Sequence, residues 1–191
     1  GLKRHRVVPI ASFGTLTRPL DDEEMKHVGN AGEFGLLPAS PNGSTVRLTR
    51  DRRVLMRNTL WYARSKRFED DLIARMEDRH RQSIAERWPA LENVDFAGTW
   101  GGIMAFTRNE GTVWGEVSDG LYVLVTTDTA PMTRGTALGK LLAEDLADVD
   151  SEELRAIKAA PQAAFVPPDP ILKFYAERRI NAIERDEAGE R

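Results

Sequence analysis

The clearest periodic pattern in the chain predicts a long amphipathic helix over residues 66–88. Apolar side chains recur there at helical spacing, and charged side chains of both signs stand between them. Glu69, Asp70 and Asp71 suit the first turn, because the N-terminal end of a helix attracts negative charge. Pro89 ends the helix. We interpret the charged positions as a solvated helix face.

Short β-prone stretches with turn residues between them predict a largely antiparallel sheet. The predicted strands are residues 7–17, 45–49, 53–58, 95–100, 103–107, 113–117 and 121–126. A short helix is predicted over residues 20–28, and the Gly- and Pro-rich residues 29–44 are predicted to form a loop. The strands after residue 95 are expected to be separated by tight Gly turns, one of them at residues 101–102.

The C-terminal third of the chain changes to a helical pattern. Helices are predicted over about residues 134–147 and from Ile171 to about Arg185, with a Pro-rich crossing at residues 161–170 between them. The fold class is therefore α+β: a mostly antiparallel sheet with helices on one side.

Composition excludes several classes of function. The chain has 191 residues and a net charge of −3, so it lacks the basic excess of a nucleic-acid-binding protein. It has no cysteine and three scattered histidines, so no thiolate or zinc-type metal site is predicted. No apolar run approaches the roughly 20 residues of a membrane helix. We expect no membrane or nucleic-acid partner and a cytoplasmic location.

One stretch, residues 96–111, combines residue types that suit a ligand site. Gly101 and Gly102 lie in β-prone sequence beside Trp100, where a backbone or a flat ring can approach closely. Arg108 and Asn109 add several hydrogen-bond donors at a strand end. The same pattern also fits a hairpin with a packing glycine. Composition alone leaves both interpretations open.

The stretch Thr99-Trp100-Gly101-Gly102, followed by Thr107-Arg108-Asn109, resembles a motif of the D-amino-acid-oxidase-like (DAO family) flavoproteins. The nearest subgroup is the gamma-glutamylputrescine-oxidase-like one. Other stretches of the same family follow in the right order over roughly residues 7–185. They are the hairpin at residues 47–55, the helix end at 86–91, the strand at 120–123, the helix at 135–143 and the Pro-Pro-Asp-Pro at 167–170.

The resemblance implies FAD as cofactor and hydride transfer from a carbon beside an amine nitrogen. Residues 1–120 would form the substrate-binding sheet, and residues 121–191 the C-terminal strand and helices that complete an FAD domain. By resemblance, the flavin or substrate site contains Trp100, Gly101, Gly102, Arg108, Asn109, Gly135 and Thr136. The substrate would be a small amine or amino acid. The catalytic residues, the general base and the electron acceptor are not assigned.

The chain departs from the family pattern in two places. It has no Gly-x-Gly-x-x-Gly motif for the dinucleotide, which predicts a fragment or subunit that needs an N-terminal FAD-binding part. Residues 125–134 replace a Gly-rich run that approaches the flavin in the family, so they are expected to keep the backbone further from a flavin. Asp128 lies among them and would repel a reduced, anionic flavin if it pointed there. Two alternatives therefore stay open: a non-catalytic interaction protein on a degenerate half-fold, and a small-molecule binding domain. Either way, an exposed half-fold surface favours association with itself or with the missing part.

Overall fold

The computed structural model describes residues 5–39, 43–65, 67–126 and 131–186. The chain divides into two compact units. The sheet unit comprises Ala11–Ile103 and Glu177–Arg191, and the helix unit comprises Gly1–Ile10 and Met104–Ala176. The functional division at residue 120 stays a prediction.

A five-stranded sheet is the principal element of the described residues, with the order β2-β3-β4-β1-β5. Its strands are β1 (Val8–Thr17), β2 (Phe34–Leu36), β3 (Thr45–Leu48), β4 (Val54–Tyr62) and β5 (Phe96–Phe106). β2 pairs antiparallel with β3, and β3 with β4, as the hairpin pattern predicts. The α+β class with an antiparallel sheet is confirmed.

Helix α2 (Asp70–Arg87) covers one face of this sheet. Its Ile84 packs in a buried cluster with the core-facing positions of β3 and β4, which are Val46, Leu48, Val54 and Met56. Nearer its N-terminus, Leu72 and Met76 pack with Phe13 of β1. The short helix α1 (Asp22–His27) begins with a capping box in which Asp21 and Glu24 satisfy each other's backbone N–H groups.

The helix unit contains the antiparallel pair β6 (Val113–Ser118) and β7 (Leu121–Val125). Helices α3 (Pro131–Leu146), α4 (Glu152–Ala159) and α5 (Ile171–Asp186) follow, and α5 ends in the sheet unit. Trp114 of β6 packs with Leu138 and Leu154, and its indole N–H donates to the Leu138 carbonyl at 3.0 Å. Within the described residues, no helix is long and apolar enough to cross a membrane.

Two secondary-structure predictions are wrong. Residues 34–36 form strand β2 inside the predicted loop, because their backbone pairs with β3 and Phe34 packs against the core. The predicted turn at residues 101–102 is absent, because β5 runs unbroken from Phe96 to Phe106. The glycine at position 101 serves close packing instead, since the rings of Phe13 and Phe68 occupy the space that a side chain would need.

The substitution Gly101→Ala tests this packing role. A Cβ there would lie 2.6 Å from Phe68 Cε2 and 2.8 Å from Phe13 Cε1, so the two rings must move. We expect a loss of about 1–3 kcal/mol in the free energy of unfolding, measured by urea denaturation. Gly102→Ala is the matched control, because nothing lies within 4 Å of its Cβ position. Equal stability of the two variants would contradict the packing account.

Candidate site on the open face of the sheet

Successive residues of β5 point to opposite faces of the sheet. The Cβ position of Gly101 contacts Phe13 and Phe68, which belong to the core beneath α2. Trp100 therefore points away from α2. Its indole lies over β1, with Cζ2 3.3 Å from the place that a Cβ of Gly14 would occupy. We call the side of the sheet unit opposite α2 the open face.

The open face is flat around Trp100. Gly98 and Gly102 precede and follow it on the same face, and their Cβ positions have nothing within 4 Å. The indole itself is 48% exposed. A strip of two glycines around one aromatic side chain therefore leaves room for a planar ligand to approach the strand.

The open face contains a second side chain of interest, that of Arg57 in β4. It lies level with Gly14 of β1 and Trp100 of β5, and we call this line across the three strands the row. Val54 N–H donates to Thr17 Oγ1 and Leu20 N–H to the Arg52 carbonyl, so β1 and β4 run in opposite directions. Three residues from the Thr17–Val54 contact, Arg57 comes beside Gly14. Its neighbours in β4 and β3, Met56 and Val46, face the core, so Arg57 faces outward. The sequence analysis missed this residue.

Arg57 is partly buried and has one hydrogen-bond partner among the described residues. Its Nη2 donates to Thr45 Oγ1 at 2.7 Å across the β3–β4 pair. No carboxylate of the described residues forms an ion pair with it. Burial lowers the pKa of this guanidinium from its ordinary value, because water is removed from the charge without a counter-charge.

Behind Trp100, on the α2 side, a chain of polar side chains fixes β5 to the core. Thr99 Oγ1 donates to Glu77 Oε2 at 2.7 Å, and it contacts Thr15 Oγ1 at 2.9 Å. Thr15 Oγ1 in turn contacts His80 Nδ1 at 2.6 Å. Both β1 and β5 are thus tied to α2 next to the Gly14–Trp100 contact.

The direction of these hydrogen bonds fixes the tautomer of His80. An ionised carboxylate only accepts, so Thr99 donates to Glu77, Thr15 donates to Thr99, and His80 Nδ1–H donates to Thr15. Nε2, the other ring nitrogen, is buried and has no hydrogen-bond partner. Desolvation lowers the pKa of His80 to about 4, and the backbone of Asn58 offsets part of the effect.

The backbone of β4 is strained two residues after Arg57. Thr59 has a φ of 69°, a left-handed conformation that is unfavourable for a β-branched residue. Buried hydrogen bonds hold the strand there: Asn58 Nδ2 donates to Ser83 Oγ at 2.9 Å, and Thr59 Oγ1 donates to Asn58 Oδ1 at 2.9 Å. Strain of this kind persists only where the surrounding structure enforces it.

The chain matches the family model described as FAD dependent oxidoreductase (DAO) over residues 1–145. This range covers most of the 191 residues. The chain belongs to the DAO family of FAD-dependent oxidoreductases. The gamma-glutamylputrescine-oxidase-like subgroup is not confirmed, and no curated protein matches the chain significantly.

Solved structures of three oxidases share the fold of this DAO-family chain. Iminodiacetate oxidase from Chelativorans sp. BNC1 is 21% identical with a TM-score of 0.58, covering 80% of this chain and 39% of that one. Glycine oxidase from Geobacillus kaustophilus is 15% identical with a TM-score of 0.60, covering 86% and 40%. Glycine oxidase from Bacillus cereus ATCC 14579 is 14% identical with a TM-score of 0.54, covering 84% and 40%. The chain thus spans about two fifths of the length of these proteins.

The predicted site residues of this DAO-family chain fall into two groups. Trp100, Gly101 and Gly102 are consecutive in β5 of the sheet unit, and only Gly101 points into the core. The other four belong to the helix unit: Arg108, Asn109, Gly135 and Thr136. The assignment of all seven residues to a cofactor site stays a prediction.

Within the helix unit, the side chain of Asn109 holds the Pro-rich crossing. Its Nδ2 donates to the Gln162 carbonyl at 3.0 Å, and its Oδ1 accepts from the Ala164 N–H at 2.8 Å. Gly111 permits this contact, because a Cβ there would lie 2.6 Å from the backbone of Gln162. Arg108 is exposed in the same turn and has no hydrogen bond or ion pair among the described residues.

The start of α3 contains the remaining two predicted residues. Gly135 is partly buried with its Cβ position 3.1 Å from Thr126 Cγ2, and the exposed Thr136 hydroxyl donates to the Met132 carbonyl at 2.8 Å. Asp128 belongs to residues 127–130, which lie outside the described residues. The expectation that this stretch keeps the backbone away from a flavin therefore stays a prediction.

The described part of the chain also contains a cavity away from β5. This cavity of about 590 Å³ lies between α1 and the β3–β4 turn. Two of its cationic side chains are paired within the protein, Lys26 with Glu23 at 2.5 Å and Arg52 with Asp22 at 2.7 Å. No group of three or more His, Cys, Asp or Glu side chains in the described residues could hold a metal ion.

The substitution Asn109→Ala tests whether this residue has a structural role. Losing two hydrogen bonds to the crossing should lower the free energy of unfolding by about 1–2 kcal/mol, measured by urea denaturation. Arg108→Ala, its exposed neighbour, should change it by less than about 0.5 kcal/mol. If Asn109→Ala were as stable as the unchanged chain, this would contradict the structural role of Asn109 and leave the residue free for a ligand role.

The buried His80 predicts a specific pH dependence of stability. Its folded-state pKa of about 4 lies below the ordinary 6.5, so the unfolded chain binds more protons between these values. The contribution is complete above pH 6.5 and is lost as the pH falls toward 4, by roughly 3 kcal/mol.

The free energy of unfolding at pH 7 and pH 4 measures this loss against two variants. His80→Gln should remove most of the slope in this window, whereas His27→Gln, at the exposed end of α1, should keep it. A slope that survives in His80→Gln shows that other groups cause it.

Proposed function

We propose that this chain is the C-terminal, substrate-side portion of an enzyme that oxidises an amine or amino acid by hydride transfer to FAD. The observation that carries the proposal is the exposed Trp100 on the flat open face, in a chain that belongs to the DAO family. The glycines on either side of the indole suit the approach of a planar ring system. FAD, when bound, supplies the hydride acceptor.

The residues of the chain have positioning roles in this proposal. Trp100 forms an aromatic wall for the substrate or the flavin, and the Thr99–Glu77 and Thr15–His80 hydrogen bonds keep the strand that carries it in place. Rigid placement matters because a small displacement of a reacting group lowers the rate strongly. The general base and the electron acceptor are not assigned.

An N-terminal FAD-binding part or second subunit is the proposed partner. The chain spans about two fifths of the length of the oxidases whose fold it shares. Its helix unit also exposes several large apolar side chains: Phe165, Ile171, Phe174 and Tyr175. Exposed apolar groups of this size are expected where another surface covers them. A cytoplasmic location and self-association are part of the same proposal.

The decisive experiment isolates the chain from its native source together with everything attached to it. We expect stoichiometric FAD by absorbance, on a longer polypeptide or on a second chain identified by intact mass. Anaerobic addition of amines or amino acids should bleach the flavin bands. A polypeptide or complex without flavin would contradict the proposal and favour the interaction protein on a degenerate half-fold.

The substitution Trp100→Phe tests the residue in the flavin-loaded form. The phenyl ring is smaller than the indole and would position the reacting atoms less well. We therefore expect the rate of anaerobic flavin reduction to fall roughly ten- to a hundredfold. Trp61→Phe is the matched control, since Trp61 is 38% exposed, is stacked with Arg75 and has no assigned role. Equal rates in the two variants would remove Trp100 from the site.

A further inference from the structure

We propose that Arg57 binds a carboxylate of the substrate on the open face, and that the amine end of the same molecule contacts the indole of Trp100, which lies over Gly14. The inference deepens the proposed function and rests on it for the identity of the ligand as substrate. It assigns a specificity-determining role to a residue outside the motif stretch at residues 96–111.

The first argument is the unbalanced charge. A guanidinium has five N–H donors, and in the described residues Arg57 uses one of its nitrogens in a hydrogen bond to a neutral hydroxyl. Burying a charge without a partner is unfavourable, so a half-buried cation with free donors is poised for an external anion. Its planar fork matches the two oxygens of a carboxylate.

Other arginines of the same sheet region are paired within the protein. Arg18 contacts Glu24, Arg47 contacts Glu33, and Arg53 contacts Asp51, each at 2.7 Å. Arg47 belongs to the same face as Arg57, two residues from Thr45 on the neighbouring strand. The chain thus supplies carboxylates to cations nearby and leaves Arg57 without one.

The second argument is that the backbone around Arg57 is held in place. Asn58, the next residue, is anchored to Ser83 of α2, and the strained Thr59 follows it. Thr45 Oγ1 fixes the guanidinium from the side of β3. A binding group held in this way loses less conformational freedom when a ligand arrives. The strain at Thr59 also becomes understandable as part of a binding site.

The third argument is the distance across the row. β4 and β5 are separated by β1, so their backbones are about 10 Å apart, twice the spacing of neighbouring strands. The indole of Trp100 lies over Gly14 between them, so the ring extends from β5 across β1 toward β4. A small amino acid can therefore place its carboxylate at Arg57 and its ammonium group near the exposed indole, which attracts cations through its ring face.

A titration of the isotope-labelled chain tests the inference without any enzymatic readout. Acetate and glycine should shift the Arg57 side-chain N–H resonance in NMR spectra saturably, whereas ethylamine should not. The indole N–H resonance of Trp100 is followed in every variant, and in Arg57→Gln the dissociation constant for glycine measured from it should rise roughly ten- to a hundredfold. Arg47→Gln is the control on the same face and should bind like the unchanged chain, because Arg47 is already paired with Glu33.

Three results would overturn the inference: an Arg57 resonance that acetate does not move, an unchanged affinity in Arg57→Gln, or phosphate binding as tight as that of acetate. Arg57→Lys keeps the test available if the Gln variant does not fold, and it should bind more weakly than Arg57 because it lacks the planar fork. In the flavin-loaded form, Arg57→Gln should raise KM more than it lowers kcat.

The titration tests the inference about Arg57 and the flavin assay tests the proposed function, so either can give a negative result without the other. Flavin present with an unresponsive Arg57 removes only the inference, whereas carboxylate binding without flavin removes only the proposed oxidation.

Discussion

Two glycines on adjacent strands determine how β5 joins the sheet. Gly101 leaves room on the core side for Phe13 and Phe68, and Gly14 leaves room on the open face for the indole of Trp100. Without the first, β5 could not approach the core beneath α2 as closely. Without the second, Trp100 would have to stand away from β1. Trp100 is the only exposed aromatic residue of β1 and β5 in the described residues. Its position therefore depends on having glycine, with no side chain, at positions 14 and 101.

The two faces of the sheet unit have different chemistry as a consequence. On the α2 side, buried polar groups are largely satisfied, and the chain from His80 to Glu77 ends on an acceptor. On the open face, a partly buried guanidinium and an exposed indole keep binding capacity that the protein does not use. Rigid support behind a surface with unused binding groups is the arrangement expected of a ligand site on a preformed scaffold.

The sequence predicted the fold class and the helix α2, because long periodic segments depend mainly on local pattern. It also located the stretch around Trp100, through its resemblance to the DAO family. It misjudged the two glycines at residues 101–102 as a turn, because the contact of Gly101 with Phe68 joins residues distant in the chain. Sequence alone does not reveal such a contact.

Arg57 was missed for a related reason. It follows Arg50, Arg52 and Arg53, so the stretch has the composition of a solvated hairpin. The available signal was its alternation with Val54 and Met56, which places a single cation on the face opposite the apolar residues. Asn109 shows the converse case, because a motif residue expected near a ligand bonds its own backbone partners at residues 162 and 164.

The account depends most on the claim that the open face is the one that meets the flavin. The fluorescence lifetime of bound flavin measures this directly, because a nearby indole quenches flavin emission by electron transfer. In the flavin-loaded form, Trp100→Phe should lengthen the lifetime clearly, and Trp61→Phe should leave it unchanged. A lifetime that does not respond to Trp100→Phe would place the flavin elsewhere and contradict the account.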